Sequence, residues 1–390
     1  MLAAPDEDIL GKAEGYPIGT PKNWFYDEHV RVGSFSHMDE VIPHYQTLHK
    51  SAAPLPLPEA ASAPTPGYRF EEQNYTIDDF LAHQRITGLL VIKDGKILAE
   101  RYQYDRKDSD RFISHSMAKS ITSLAIGFAL AEKKIASLDD TISRYEPKLA
   151  GSPYGETTIR NMLRMSSGVP FDESYDGKDD LTRFNITRYR QDSIAALREL
   201  TTREVEQGTR FHYASSETVA LVLVLRAVTG TSLTEYLTRR LWQPMGAEAD
   251  ASWTAYSDGT VVGAGNFNAT LRDYGRLGIL LANDGETGGK QIIPKDYLLD
   301  ATDWHRQPEA FRPSNATPYF GYGYQFWLFP GEKRRFALLG VYGQAIFVDP
   351  ELKLVLVLTA AAKNANVGKE TLGRERAALW RGLVETFGSW

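Results

Sequence analysis

The chain has no cysteine in 390 residues. That excludes disulfides, thiol nucleophiles and cysteine-based metal sites together. Basic residues are in the minority, 44 Lys and Arg against 50 Asp and Glu, for a net charge of −6. No basic stripe is left over to neutralise phosphates, so no nucleic-acid partner is expected. No apolar run approaches the ~20 residues that span a bilayer; the longest, 121–131 and 219–228, are the length of core helices. Histidine is scarce, eight in all. No His-Glu-x-x-His, no acidic cluster with ligand spacing and no phosphate-cradling glycine loop is present, so neither metal nor cofactor is expected. The absence of Gly-x-Ser-x-Gly argues against an α/β-hydrolase elbow. Met1-Leu2-Ala3-Ala4-Pro5-Asp6 lacks the basic and apolar regions of a signal peptide. The expected location is the cytoplasm, or the periplasm or exterior if a leader has been removed.

Residues 1–74 read as an irregular arm, rich in aromatics at Trp24, Phe25, Tyr26 and Phe35, that ends in an Ala/Pro-rich extended connector at 51–67. Thr76-Ile77-Asp78-Asp79 caps a short helix through Arg85. Two strand-like runs, 88–93 and 96–102, flank Asp94-Gly95, a tight-hairpin signal. Apolar residues Met117, Ile121, Leu124, Ala125 and Phe128 recur at helical spacing. Further helices are predicted over 157–165, 191–203, 215–229, 232–243 and 270–283. Strands return at 322–329, 335–339, 344–348 and 352–359, before a closing helix over 369–387. The fold class is α/β (α+β): one antiparallel sheet built from both chain ends and flanked by helices, residues 75–115 plus 285–390, with a mostly helical domain inserted over 116–284.

Three places carry candidate chemistry. Ser116-Met117-Ala118-Lys119 puts a hydroxyl and an amine one turn apart on one helix face. Lysine takes a hydroxyl proton only where burial lowers its pKa, and this helix is apolar around Lys119. Taken alone, a Ser-x-x-Lys is expected about once by chance in a chain this long, with a helix-capping Ser as its ordinary reading. Tyr213-Ala214-Ser215 precedes the helix at 215–229. A phenol there can pass a proton to a leaving group, and Ser215 can bond the same pair; an N-cap behind a packed aromatic is the plainer reading. Gly340-Val341-Tyr342-Gly343-Gln344 lies among the C-terminal strands, where one exposed amide can join that of Ser116 in an oxyanion hole, or the glycines simply mark a bulge. His115 and His212 precede the first two motifs, but neither has triad partners at motif positions. Trp304, Tyr319, Phe320, Tyr322, Tyr324, Phe326 and Trp327 either line an apolar cleft or fill core.

In order and spacing the three places resemble the serine β-lactamase and penicillin-binding-protein superfamily, in its esterase and amidase branch. Ile159 to Gly168 (IRNMLRMSSG) and Arg272 to Gly278 (RDYGRLG) are similar to stretches of that family. His37 to Pro43, Asp172 to Asp176 and Gly343-Gln344 before Asp349-Pro350 are similar to the branch that cleaves aminohexanoate oligomers.

The resemblance implies a β-lactamase-like fold. It implies Ser116 as the acylated nucleophile and Lys119 with Tyr213 as the proton-transfer pair, without saying which of the two is the base. It further implies an oxyanion hole from the amides of Ser116 and Val341, and substrate contacts from Tyr175, Ser215, Tyr342 and Gly343, with Tyr175 on a mobile loop. Asp179 or Asp180, and Ala264 with Asn266 and Asn268 nearby, stand where amide preference is set in that branch. No Lys-Thr-Gly occurs, which counts against strong β-lactam or D-Ala-D-Ala recognition. The expected function is hydrolysis of a small-molecule ester or linear amide, with a cell-wall β-lactamase or peptidase and a catalytically silent binder as rivals; a homodimer is implied by resemblance alone.

Overall fold

The computed structural model describes residues 3–61 and 66–390. Met1 and Leu2, where the leader question falls, and residues 62–65 of the connector lie outside the described residues.

The hairpin at Asp94-Gly95 forms as its sequence requires. Asp94 and Gly95 both take left-handed backbone, φ 50° and 72°, the geometry that matches strand twist. It joins β1 (Ile86–Lys93) to β2 (Lys96–Tyr102). The C-terminal region adds β3 (Gly321–Tyr322), β4 (Trp327–Leu328), β5 (Phe336–Leu339), β6 (Ala345–Asp349) and β7 (Leu354–Ala360). They form one antiparallel sheet in the order β3-β4-β5-β6-β7-β1-β2. The two chain ends meet where β7 pairs with β1, Leu354 opposite Lys93 through Thr359 opposite Gly88.

β7 is apolar along nearly its whole length because both faces of the sheet are covered. Leu354, Leu356 and Leu358 join Trp380 and Leu383 of the closing helix (Thr371–Phe387) in one core. Val355 and Val357 join Ile92, Ile346 and Leu277 in the other. The helix Leu271–Ala282 lies on that second face. It approaches closely because Gly275 and Gly278 face the strands: a Cβ on Gly278 would sit 2.4 Å from Val355 Cγ1.

Three expectations are corrected. The arm is not wholly irregular, since Tyr45–Leu48 pairs antiparallel with Ala251–Thr254 in a second small sheet that also contains Phe267–Ala269 and Phe112–Ile113. The run 322–329 is two short strands instead of one. Between them Gln325 turns into left-handed backbone, φ 66°, and is held by Leu163 O, Met162 O and Thr218 Oγ1. The stretch between 165 and 191, where no helix was expected, contains one. Asp179 caps, and Asp180 opens, an unforeseen helix, Asp180–Arg190.

Among the described residues no single helix is long and apolar enough to cross a membrane. The described part of the connector, residues 51–61, forms no helix and is pinned to the body by Leu55 N to Gly246 O and Ala60 N to Ile97 O.

Candidate active site

The nucleophile segment is fixed before the helix begins. Phe112–Ile113 pairs with Phe267–Ala269, Ser114 N donates to Phe267 O at 2.7 Å, and Ser114 Oγ accepts from Phe267 N at 3.2 Å. His115 then takes left-handed backbone, φ 43°. Ser116 is the N-cap of α1 (Met117–Ala131), yet its hydroxyl caps nothing. That leaves the ordinary reading of this serine unmet and its Oγ free for the cleft.

Lys119 is 1% exposed. Its Nζ donates to Ser116 Oγ at 2.9 Å and to Ala264 O at 2.9 Å. Burial pulls the amine from its ordinary 10.5 down to about 8, while the charge of Glu173 pulls it up. The segment at 263–265 that supplies the carbonyl is itself held: Thr122 Oγ1 donates to Gly263 O and Trp253 Nε1 to Gly265 O. Ala264 therefore serves Lys119 through its backbone. Asn266 lines the cleft, whereas Asn268 is buried behind it, bonded to Asn266 O and Ser252 O.

Tyr213 meets Lys119 through its ring, with Nζ 4.8 Å from the ring centroid, a cation–π distance. Its phenol is pushed well above the ordinary range by burial and by the charge of Glu173, and the nearby Ser116 side chain opposes the shift. Behind Tyr213 stand Trp327, stacked at 5.6 Å, and Tyr322. Tyr322 and Trp327 thus back Tyr213, and no aromatic residue from Trp304 to Trp327 lines the cleft.

The turn at 340–343 reaches Ser116 because Gly340 has no side chain. A Cβ there would lie 2.4 Å from Ser114 O and 3.1 Å from His115 Cβ. Among the described residues neither the amide of Ser116 nor that of Val341 has an intramolecular acceptor, and both residues line the cleft. Tyr342 and Gly343 do not. The Tyr342 hydroxyl donates to Phe25 O and its ring carries Arg31 at 4.3 Å; Gly343 packs on Ala360 and Leu372. Both support the turn from behind.

Ser215 lies in the cleft at the start of α2 (Ser215–Thr229), but it bonds neither Lys119 nor Tyr213. Its amide and hydroxyl both donate to Glu173, each at 2.7 Å, and the Tyr175 hydroxyl donates to the same carboxylate at 2.7 Å. Glu173 is the residue that sequence reasoning missed. It was visible only as part of the Asp172 to Asp176 stretch, with nothing local to separate it from a solvated loop acid. Tyr175 is brought over the site in left-handed backbone, φ 61°. Asp179 spends its oxygens on Thr182 and on Tyr175 N, and Asp180 on Asp172 N and Arg183.

The two histidines are not catalytic partners. His115 sits among Trp24, Phe25, Phe35 and Tyr342, and burial and nearby cations drive it down to about 3, so it is neutral. His212 Nε2 pairs with the backbone of Phe171.

A cleft of about 560 Å³ opens in front of Ser116. It is walled by the arm (Trp24, Phe25, Tyr26), by the helix Asp180–Arg190 and by Val219, Val262 and Ala264. A buried amine against a hydroxyl at a helix N-terminus, with two unspent amides opposite, is an arrangement suited to acyl transfer. The Beta-lactamase family pattern matches residues 74–379, and the chain belongs to that family, a superfamily of serine hydrolases. It is 26% identical over 361 residues to the 6-aminohexanoate-dimer hydrolase of Paenarthrobacter ureafaciens, covering 89% of this chain and 88% of that one. A Bacillus anthracis structure described provisionally as a 6-aminohexanoate-dimer hydrolase superposes with a TM-score of 0.81 at 23% identity, covering 94% of this chain and 96% of the other. EstCE1, a hydrolase with promiscuous acyltransferase activity, gives 0.60 at 17% identity, covering 78% and 96%.

Proposed function

We propose that the chain hydrolyses small carboxylic esters or linear amides, of the aminohexanoate-oligomer type, through an acyl-enzyme on Ser116. The observation that carries this reading is the buried Lys119 amine 2.9 Å from Ser116 Oγ. With its pKa near 8, a useful fraction is neutral at physiological pH, and a neutral amine accepts a proton.

Lys119 takes the proton of Ser116 as Oγ bonds to the substrate carbonyl carbon. The negative carbonyl oxygen is held by the amides of Ser116 and Val341. The bond to the leaving oxygen or nitrogen then breaks, and that atom takes a proton from the Tyr213 hydroxyl, which the Lys119 ammonium beside the ring makes good. Water next attacks the ester on Ser116 and gives a proton to Lys119; the bond from the acyl carbon to Oγ breaks, Oγ takes that proton back, and the carboxylic acid departs. Tyr175 and Ser215 contact the substrate, with Glu173 holding both in place.

The test is an intact-mass measurement after a fluorophosphonate probe. It is run beside turnover of p-nitrophenyl acetate, p-nitrophenyl butyrate, a linear aminohexanoate dimer and a chromogenic cephalosporin. A single adduct mapped to Ser116, with ester or linear-amide turnover, is expected. Cephalosporin turnover alone, or full activity in Ser116→Ala, overturns the reading.

A further inference from the structure

The charged residues of the cleft are unevenly partnered. Its two acids, Glu173 and Asp179, are each bonded to groups of this chain. Among the described residues, its cations Lys22, Arg188 and Arg190 form no ion pair, whereas Arg183 on the same helix is paired with Asp180.

Lys22 and Arg190 are exposed, where a lone charge costs little. Arg188 is different, being 3% exposed. Its guanidinium lies 4.2 Å over the Tyr256 ring; Nε donates to Ser193 Oγ at 3.0 Å, Nη2 to Val261 O at 3.4 Å and Nη1 to Val262 O at 3.5 Å. A guanidinium has five N–H groups, so these three bonds leave two undirected, and two of the three are long. No carboxylate pairs with it within 4 Å among the described residues; the charge of Asp258 acts on it only from farther off, and a buried cation without a paired anion is costly. The surrounding wall is apolar, with Leu181, Phe184 and Val262.

We infer that Arg188 is a carboxylate-recognition site in this cleft, and that the substrate is a linear ester or amide whose apolar chain ends in a free carboxylate. The inference rests on the hydrolase reading and assigns the cleft an ionic anchor that is not on the C-terminal strand. Arg188 supplies charge-assisted hydrogen bonds to the carboxylate, and Lys22 and Arg190 raise the local concentration of anions at the mouth.

The test is competition against p-nitrophenyl acetate hydrolysis by hexanoate and by hexanamide, which share a chain and differ in charge. In the wild-type protein hexanoate is expected to inhibit about tenfold or more below the hexanamide concentration, the range of a hydrogen bond to a charged group. In Arg188→Met the two are expected to inhibit alike, and Arg188→Lys is expected to keep an intermediate preference. Equal inhibition in the wild type, or a preference that survives Arg188→Met in full, overturns the proposal; the second result assigns the preference to Lys22 and Arg190 or to the oxyanion hole. If Arg188→Met shows no cooperative thermal transition, Arg188→Lys decides, because an unchanged preference there overturns the proposal and a reduced one supports it. If p-nitrophenyl acetate is not hydrolysed at all, the hydrolase reading fails, and calorimetric titration of the same two compounds into wild type and variants still decides the role of Arg188.

Discussion

Lys119 Nζ lies against the face of the Tyr213 ring, 4.8 Å from its centroid, while its hydrogen bonds go to Ser116 and Ala264. In the proposed mechanism ring and hydroxyl of Tyr213 act separately: the ring faces the amine, and the hydroxyl protonates the leaving group. Tyr213→Phe keeps the ring. It is expected to cut kcat on the linear amide by about 10²–10⁴, and far less on p-nitrophenyl esters, whose leaving anion needs no proton. Equal losses on both substrates would remove the phenol from the protonation step. Lys119→Met is expected to abolish both activities.

The pH profile follows from the same amine. With Lys119 as the proposed base, kcat/KM is expected to rise with pH through a midpoint near 8 and to level off above it. Glu173 raises the Lys119 pKa through its charge. Glu173→Gln keeps an acceptor for Ser215 and removes that charge, so the acid limb is expected to move to lower pH. A limb that stays in place or moves upward would show that Glu173 does not act on Lys119.

Gly340→Ala places a methyl where Ser114 O stands at 2.4 Å. The turn must back away, and the Val341 amide with it. Loss of one oxyanion donor is worth about 10²–10³ in kcat, so a fall of that order with a smaller change in KM is expected. Unchanged kcat would remove Val341 from the oxyanion hole.

Glu217 lies beneath the site in α2, fully buried, and accepts from the amide and hydroxyl of Ser167, while its second oxygen has no partner among the described residues. Burial raises its pKa from 4.5 to about 8. Between those values the folded chain holds a proton that the unfolded chain has lost, so stability falls as pH rises, by up to about 1.4 kcal/mol per pH unit. Glu217→Gln is expected to flatten this slope in denaturant titrations. An unaltered slope would show that Glu217 is already charged in the folded protein.

Much of the local structure was legible because its causes are local. The Thr76–Asp79 capping box, the turn at Asp94-Gly95 and the Ser116/Lys119 pair one turn apart each depend on neighbours within four residues. The helix Asp180–Arg190 was missed because it buries only Phe184 and Arg188, too few to give a helical period, while Tyr189 is 79% exposed. The arm strand and the bend at Gln325 were missed because their partners lie far along the chain, Tyr45 opposite Thr254 and Gln325 against Leu163.

By itself the sequence determined the family, the chemical types at the site and the helix that sets Ser116 beside Lys119, since hydroxyl and amine spacing on a helix is a matter of covalent geometry. Only the tertiary structure decided how buried that amine is, that Tyr213 offers it a ring face, that Glu173 claims Ser215, and that Arg188 forms no ion pair among the described residues. Those properties depend on desolvation and on charges brought together from distant segments, and neither is written in the order of neighbouring residues.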